Sequence, residues 1–476
     1  MSNLSDSQPI WRCSNDYRSQ TNIDRFRKNL NQSHAEDLAN YADMHDWSVR
    51  NPGLFWSQLW DFCSVVGDKG ECFFDPKASM FEAEFFPQAR LNFAENILTN
   101  SDVLESDDAL VFWGEDVVRQ RLSWKELRDA VSQMAQALRE LGVKKGDRVA
   151  AYMPNIPETI IAMLASSSIG AIWSSCSPDF GVQGVLDRFG QVEPTILIAA
   201  DGYFYSGKKI DNLAKVAQIT DEIHSIEKVI IVPYLRTNND SEASLEGVAN
   251  SVLYEDLLNQ YKATDLDFEA LPFDHPLYIL YSSGTTGAPK CIVHGAGGTL
   301  LQHLKEQQLH CDLKPNDRLF YFTTCTWMMW NWLVSGLASG ATLLLFDGSP
   351  FYPNETTLFD YAEQEGMTHF GTSAKYIDAL KNEKVNTTQS HDLSKLRMMC
   401  STGSPLVPES FDYVYESLKE DVYLASISGG TDIISCFVLG NPSSDLCRGE
   451  IACKGLGMAI DAVSYTHLTL PTTPYV

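Results

Sequence analysis

The sequence predicts an α/β protein built of layered, largely parallel sheets, and three observations carry that expectation. From about residue 124 onward, amphipathic helical stretches alternate with short apolar runs rich in β-branched residues, the pattern of strand and helix layers. Loops of small residues follow several of these runs, as ligand loops follow strands at the carboxyl edge of a parallel sheet. Finally, the 476 residues are 44% hydrophobic and 21% charged, enough apolar material for two or three cores in a folded chain.

Each element has its own signal. "SWKELRDAVSQMAQALRELG" opens with a Ser123-x-x-Glu126 capping box, places Leu127, Val131, Met134, Leu138 and Leu141 on one face, and ends near Gly142. "DRVAAYMP" then reads as a strand. "PETIIAMLASSSIG" is a helix feeding the strand "AIWSSC", and "VQGVLDRFGQVEP" a helix feeding "TILIAA". Further strands are "EKVIIVPY", "LYILYSS", "DRLFYFTT", "ATLLLF", "MTHFGTS", "LRMMCSTG" and "VYLASISGG". Before them, Trp47, Phe55, Trp56 and Trp60 recur at roughly helical spacing, an aromatic stripe that would dock the N-terminal part on the main body. "RTNNDSEASLEGVAN", residues 236–250, reads as a surface loop.

Charge and composition exclude several function classes. With 62 acidic against 36 basic residues and a net charge of −26, attraction to nucleic acid or anionic membrane is disfavoured, so an anionic substrate must meet a local site. Eleven cysteines stand singly, with no Cys-x-x-Cys pair; they read as reduced thiols, mostly small buried hydrophobes, and not as metal ligands. The uncharged stretches Thr159–Pro178 and Leu319–Phe346 are broken by polar residues and glycine, so burial in a core is expected and a membrane span is not. "MSNLSDSQPIWRCSND" has no apolar secretory core, which makes the cytoplasm the expected compartment.

The densest chemistry lies in "YSSGTTGAPKCIVHGAGG", residues 281–298, with five glycines, four hydroxyl residues at 282, 283, 285 and 286, and Lys290. An apolar run precedes it and the helical "TLLQHLKEQQLH" follows, so the expected unit is strand, loop and helix. There amides, hydroxyls and the lysine can converge on phosphate oxygens; a plain flexible turn is the alternative. Ala288 and Pro289 separate Gly287 from Lys290, which sets the loop apart from the Walker pattern. No Gly-x-Gly-x-x-Gly follows an early strand, against a dinucleotide redox fold. Two further loops, "STGSP" at 401–405 and "SGGTD" at 428–432, can line the same pocket, although by residue type alone the first is equally a strand-to-helix turn and Asp432 an Asx-type cap. "WMMWNW" at 327–332 is, by composition, core packing or a pocket wall.

"YSSGTTGAPK" with "SISGGTDI" downstream resembles the adenylate-forming superfamily of acyl-CoA synthetases, peptide-synthetase adenylation domains and luciferases. "FTTCTWMMWNWLVSGLASGATLLLFDGSP" and "FGTSAKYI" are similar to its acetoacetyl-CoA synthetase group, from about Trp47 to about Ala462. The resemblance implies an ATP-dependent acid–thiol ligase that joins acetoacetate and CoA through an acyl-adenylate, releasing pyrophosphate and AMP. Ser282, Ser283, Gly284, Thr285, Thr286, Gly287 and Lys290 would hold ATP phosphates. Ser428, Gly429 and Gly430 would lead to Thr431 at the α-phosphate, and Asp432 would hold Mg²⁺. Gly403, Ser404 and Pro405 would border adenine, with Ser404 where relatives carry Glu. Trp327, Met328, Met329 and Trp330 would shape the acyl pocket, with Thr326 in place of an expected glycine.

The implied organisation is an N-terminal extension over 1–95, the large adenylate-forming domain over 96–462, and a non-native tail, "VSYTHLTLPTTPYV", over 463–476. The ribose-binding Asp and the C-terminal domain with its lysine lie outside this sequence, so the chain is expected to be a fragment with little activity. Another short-chain acyl-CoA synthetase, or a nucleotide-binding module without turnover, are the alternatives.

Overall fold

The computed structural model describes residues 8–235, 245, 247–282 and 287–461. The helix Trp124–Glu140 starts at the expected capping box, with Ser123 and Glu126 each bonded to the other's backbone, and its apolar face is buried. The strands Arg148–Tyr152, Ile172–Cys176 and Ile196–Ala200 and the helices Pro157–Ser168 and Val182–Val192 also fall where the periodicity puts them.

Two seven-stranded sheets form the frame. In spatial order the first runs Ser251–Leu253, Lys228–Val232, Ile196–Ala200, Arg148–Tyr152, Ile172–Cys176, Pro276–Ser282, Lys290–Gly295. The second runs Tyr423–Ser426, Met398–Thr402, His369–Ser373, Arg318–Tyr321, Thr342–Asp347, Asp108–Gly114, Val118–Ser123. In each, six strands are parallel and the last pairs antiparallel as a hairpin edge. Strand alternation sorts side chains between cores: Val149 and Ala151 enter the large core, whereas Ala150 and Tyr152 enter a smaller one on the other face.

The N-terminal aromatic stripe docks as expected, with Trp47, Phe55, Trp56 and Trp60 all buried in the large core. Two strand pairings stitch this region to distant chain: Pro9–Trp11 with Leu446–Cys447, and Arg90–Leu91 with Leu271–Pro272. The long uncharged stretches break into short elements, and no described helix is long and apolar enough to cross a membrane. Of the 236–250 loop, residues 236–244 and 246 lie outside the described residues, as do 462–476.

One expectation is corrected. The glycine-rich stretch is followed by a strand, Lys290–Gly295, before the helix Ala296–Leu304, so the unit is a β-hairpin and not a strand–loop–helix. Ile292 and Val293 supply the β-branched content of that strand, and Lys290 pairs directly with Ser282 across it. The helix then continues as a π-helical turn over Lys305–His310.

Candidate active site

The carboxyl ends of the two sheets meet. Ser175, in the strand Ile172–Cys176 of the first sheet, donates its hydroxyl to Cys325 O at 2.6 Å, and Ser177 N–H donates to Thr326 Oγ1 at 2.7 Å. Thr326 therefore has a structural partner where the resemblance suggested glycine. Just beyond it stands the acyl-pocket candidate. Trp327, 51% exposed, caps the helix Met328–Ser335; Met328 is half-buried and Met329 buried. Trp330 is fully buried, donates Nε1–H to Asn155 Oδ1 at 3.0 Å and stacks near Trp173 at 6.4 Å. The four residues thus divide, the first two facing outward and Trp330 anchoring the helix in the core.

The glycine-rich hairpin leaves the first sheet at its carboxyl end. Ser283, Gly284, Thr285 and Thr286 lie outside the described residues. Ser282 closes the ladder, Gly287 is exposed at φ +105° with open space where a side chain would stand, and Lys290 is exposed at the start of the return strand. Gln191 donates to Pro289 O at 2.8 Å, which fixes the hairpin's return arm to the neighbouring helix.

The two other loops are tied to each other and to this hairpin. Thr402 Oγ1 donates to Ile427 O at 2.9 Å, and Ile427 N–H donates to Ser401 O at 2.8 Å, so Gly403, Ser404 and Pro405 lie beside the start of "SGGTD". Gly403 stands at φ +86° with nothing within 4 Å of a would-be Cβ. Ser428–Gly430 is a short strand antiparallel to Ser435–Leu439, and the turn between them carries Thr431 and Asp432. His294, in the return strand of the glycine-rich hairpin, donates Nε2–H to Thr431 O at 2.8 Å. Burial holds the His294 imidazole below its usual titration range, with the Thr431 carbonyl and the Asp432 charge opposing. The Gly403 and Thr431 loops thus lie side by side, and the return strand of the hairpin is bonded to the second of them.

Sequence reasoning missed His294, which physically couples two of the motifs, because a lone histidine after a glycine-rich loop carries no spacing signal. It also missed the base under the Thr431 turn. Glu306 accepts from Ser435 Oγ at 2.5 Å, Cys436 N–H at 2.7 Å and Trp332 Nε1–H at 3.0 Å. The buried Lys305 ammonium lies 3.8 Å from the same carboxylate and 2.7 Å from Gln302 Oε1.

Chemically, these loops offer an exposed cation, free backbone at glycine, hydroxyls and one exposed carboxylate. That is the equipment for a nucleotide triphosphate with its Mg²⁺. Among the described residues no three His, Cys, Asp or Glu side chains gather as a metal cluster. Asp432 would therefore be a single protein ligand, with phosphate oxygens and water completing the shell, the usual manner in which Mg²⁺ is held with nucleotides.

Residues 102–450 match the AMP-binding enzyme family. The acetoacetyl-coenzyme A synthetase of Rhizobium meliloti (strain 1021) is 55% identical over 454 residues, covering 95% of this chain and 69% of that protein. The acetoacetyl-CoA synthetase of Danio rerio is 44% identical over 457 residues, covering 94% of this chain and 67% of that one. The solved acetoacetyl-CoA synthetase from Streptomyces lividans superposes with a TM-score of 0.89 at 40% identity, over 94% of this chain and 69% of that one. The family match over residues 102–450, identity of this level along nearly the whole chain and the close superposition place the chain in the AMP-binding enzyme family, in its acetoacetyl-CoA synthetase group.

Proposed function

We propose that this protein is an ATP-dependent acid–thiol ligase that makes acetoacetyl-CoA, working in the cytoplasm on ATP, acetoacetate and CoA with Mg²⁺. The acetoacetate carboxylate attacks the α-phosphate of ATP and pyrophosphate leaves; the CoA thiol then attacks the acyl carbon and AMP leaves. Lys290 and the glycine-rich hairpin, Ser282 to Gly287, take the β- and γ-phosphates, where negative charge grows as pyrophosphate departs. Thr431, with Ser428, Gly429 and Gly430 before it, meets the α-phosphate, and Asp432 holds Mg²⁺ when it is bound. Gly403, Ser404 and Pro405 border the adenine. Trp327, Met328 and Met329 face the acid, with Trp330 fixing their helix.

The observation that carries the reading is the identity of 55% to an acetoacetyl-coenzyme A synthetase over 95% of this chain. A malonamoyl-CoA synthetase of Penicillium aethiopicum, 40% identical over 469 residues, favours one second reading. Malonamate differs from acetoacetate by an amide nitrogen in place of a methyl, so a site shaped for one accommodates the other.

Acid-dependent ATP–pyrophosphate exchange tests both readings, with acetoacetate, malonamate, acetate, propionate and butyrate as competing acids. It is run on this chain and on the chain joined to the C-terminal third of a longer relative. Exchange strongest with acetoacetate supports the proposal, and strongest with malonamate supports the second reading. ATP binding without exchange in either form would leave only a nucleotide-binding module.

A further inference from the structure

Ile434 follows the Thr431–Ile433 turn with its backbone at φ +49°, ψ +30°. A β-branched residue is crowded in this left-handed region and persists there only when its surroundings impose it. They do so on both sides. His303, fully buried, donates Nε2–H to Ile434 O at 3.1 Å and has Nδ1 2.7 Å from the Ser335 hydroxyl. The next two residues, Ser435 and Cys436, are both gripped by Glu306. Ile434 N–H donates to Thr431 O, the same carbonyl that His294 holds.

The position so enforced borders a cavity of about 500 Å³, lined by Ile433 and Ile434 together with Gly298 and Gln302 of one helix and with Phe86 and Phe273. Such a volume suits a small-molecule site. The helix adds a second sign of one. Gly298 has no positive φ and nothing lies within 4 Å of where its Cβ would stand, so glycine is required there neither by the backbone nor by packing, although it weakens a helix. The neighbouring Gly297 abuts Phe273 and has a packing reason.

We infer that the Ile434 side chain is the partition between the adenylating centre at Thr431–Asp432 and this cavity, and that it sets the upper length of the acid. The inference rests on the acid–thiol ligase reading above and adds a specificity-determining residue to it.

The test is the ratio of acid-dependent ATP–pyrophosphate exchange with 3-oxohexanoate to that with acetoacetate, measured in the exchange-competent form alongside melting temperature. Ile434→Gly relieves the strain and removes the wall, so the ratio is expected to rise at least tenfold. Ile434→Ala, which keeps a side chain on the strained backbone, is expected to raise it less, and serves if the glycine variant fails to fold. Adding Gly298→Leu to Ile434→Gly refills the cavity from the helix and should return the ratio toward its original value. A ratio unchanged within twofold in both single variants, whatever the melting temperature does, overturns the inference, because a purely structural residue would move stability alone. If the unaltered protein activates another short acid and not acetoacetate, the proposed substrate falls. The same ratio, taken between that acid and its homologue two carbons longer, then decides on Ile434.

Discussion

The two sheets share one plan, six parallel strands closed by an antiparallel edge strand, yet their edge hairpins turn in opposite senses chemically. In the second sheet the turn after Asp108–Gly114 is closed upon itself. Glu115 is fully buried, and its carboxylate accepts from Ser206 N–H at 2.6 Å, Gly207 N–H at 2.8 Å and Ser349 N–H at 2.9 Å. Gly348, nearby, has positive φ and would drive a Cβ into Glu115. In the first sheet the corresponding turn ends in Gly287 and Lys290, both exposed, with open space around the glycine. Glycine packed beside one hairpin answers crowding, and glycine within the other leaves room. On the proposed function, an exposed cation beside an uncrowded glycine, more than glycine content, marks which of two like turns receives a ligand.

The contrast is broken most severely at the open turn. Lys290→Ala should lower acid-dependent pyrophosphate exchange by ~10²- to 10³-fold, as loss of one aimed electrostatic donor does, while melting temperature stays within about a degree of the parent because an exposed side chain contributes little to stability. A matched loss of both would move Lys290 into the structural class. At the closed turn the pattern reverses. Glu115→Ala strands three backbone N–H groups and should cost about 3 kcal/mol or more in denaturant unfolding, with exchange retained in the folded fraction.

Asp347 sharpens the comparison by pH. Part of the residue reaches the surface, yet its carboxyl is enclosed. Removal from water pushes it up to about 7, against the hydrogen bond that Tyr234 donates at 3.0 Å and with Glu115 and Asp179 nearby. The folded state then holds a proton that the unfolded chain gives up near pH 4, so stability falls as pH rises from about 4 to 7. Asp347→Asn keeps the acceptor for Tyr234 and should stabilise by on the order of 1–2 kcal/mol at pH 8. The gain should fade toward pH 4 in a series of thermal melts, and a gain independent of pH would refute this account. The smallest effect belongs to Ser123, where the edge strand passes into its capped helix: Ser123→Ala should cost about 1 kcal/mol, measured by denaturant unfolding.

How much of this was legible depends on whether the signal was local. The Trp124–Glu140 helix could be read because cap and apolar face lie within twenty residues. The strand Lys290–Gly295 could not, because six residues between two glycine clusters are too few to show a period, and the following helix dominated the reading. The base of the site was hidden for a different reason. Lys305, Glu306 and His310 look like the solvated face of a helix, but the π-turn carries them inward, where partners from distant segments receive them. Trp330 was open to both readings, and burial decided for its anchoring role in the core.

The three bonds to Glu115 also bear on the order of events as the chain acquires its structure. Their donors lie 91, 92 and 234 residues away in sequence, so no short-range nucleus can form the cluster, and the carboxylate stays hydrated until the turn of the Gly202–Tyr205 and Lys208–Asp211 hairpin and the segment after Thr342–Asp347 have reached it. Contacts completed after the barrier slow escape from the native state without hastening arrival at it. If these bonds close after the barrier, Glu115→Ala should raise the unfolding rate and leave the folding rate nearly unchanged in stopped-flow measurements, the mark of a latch on residence time.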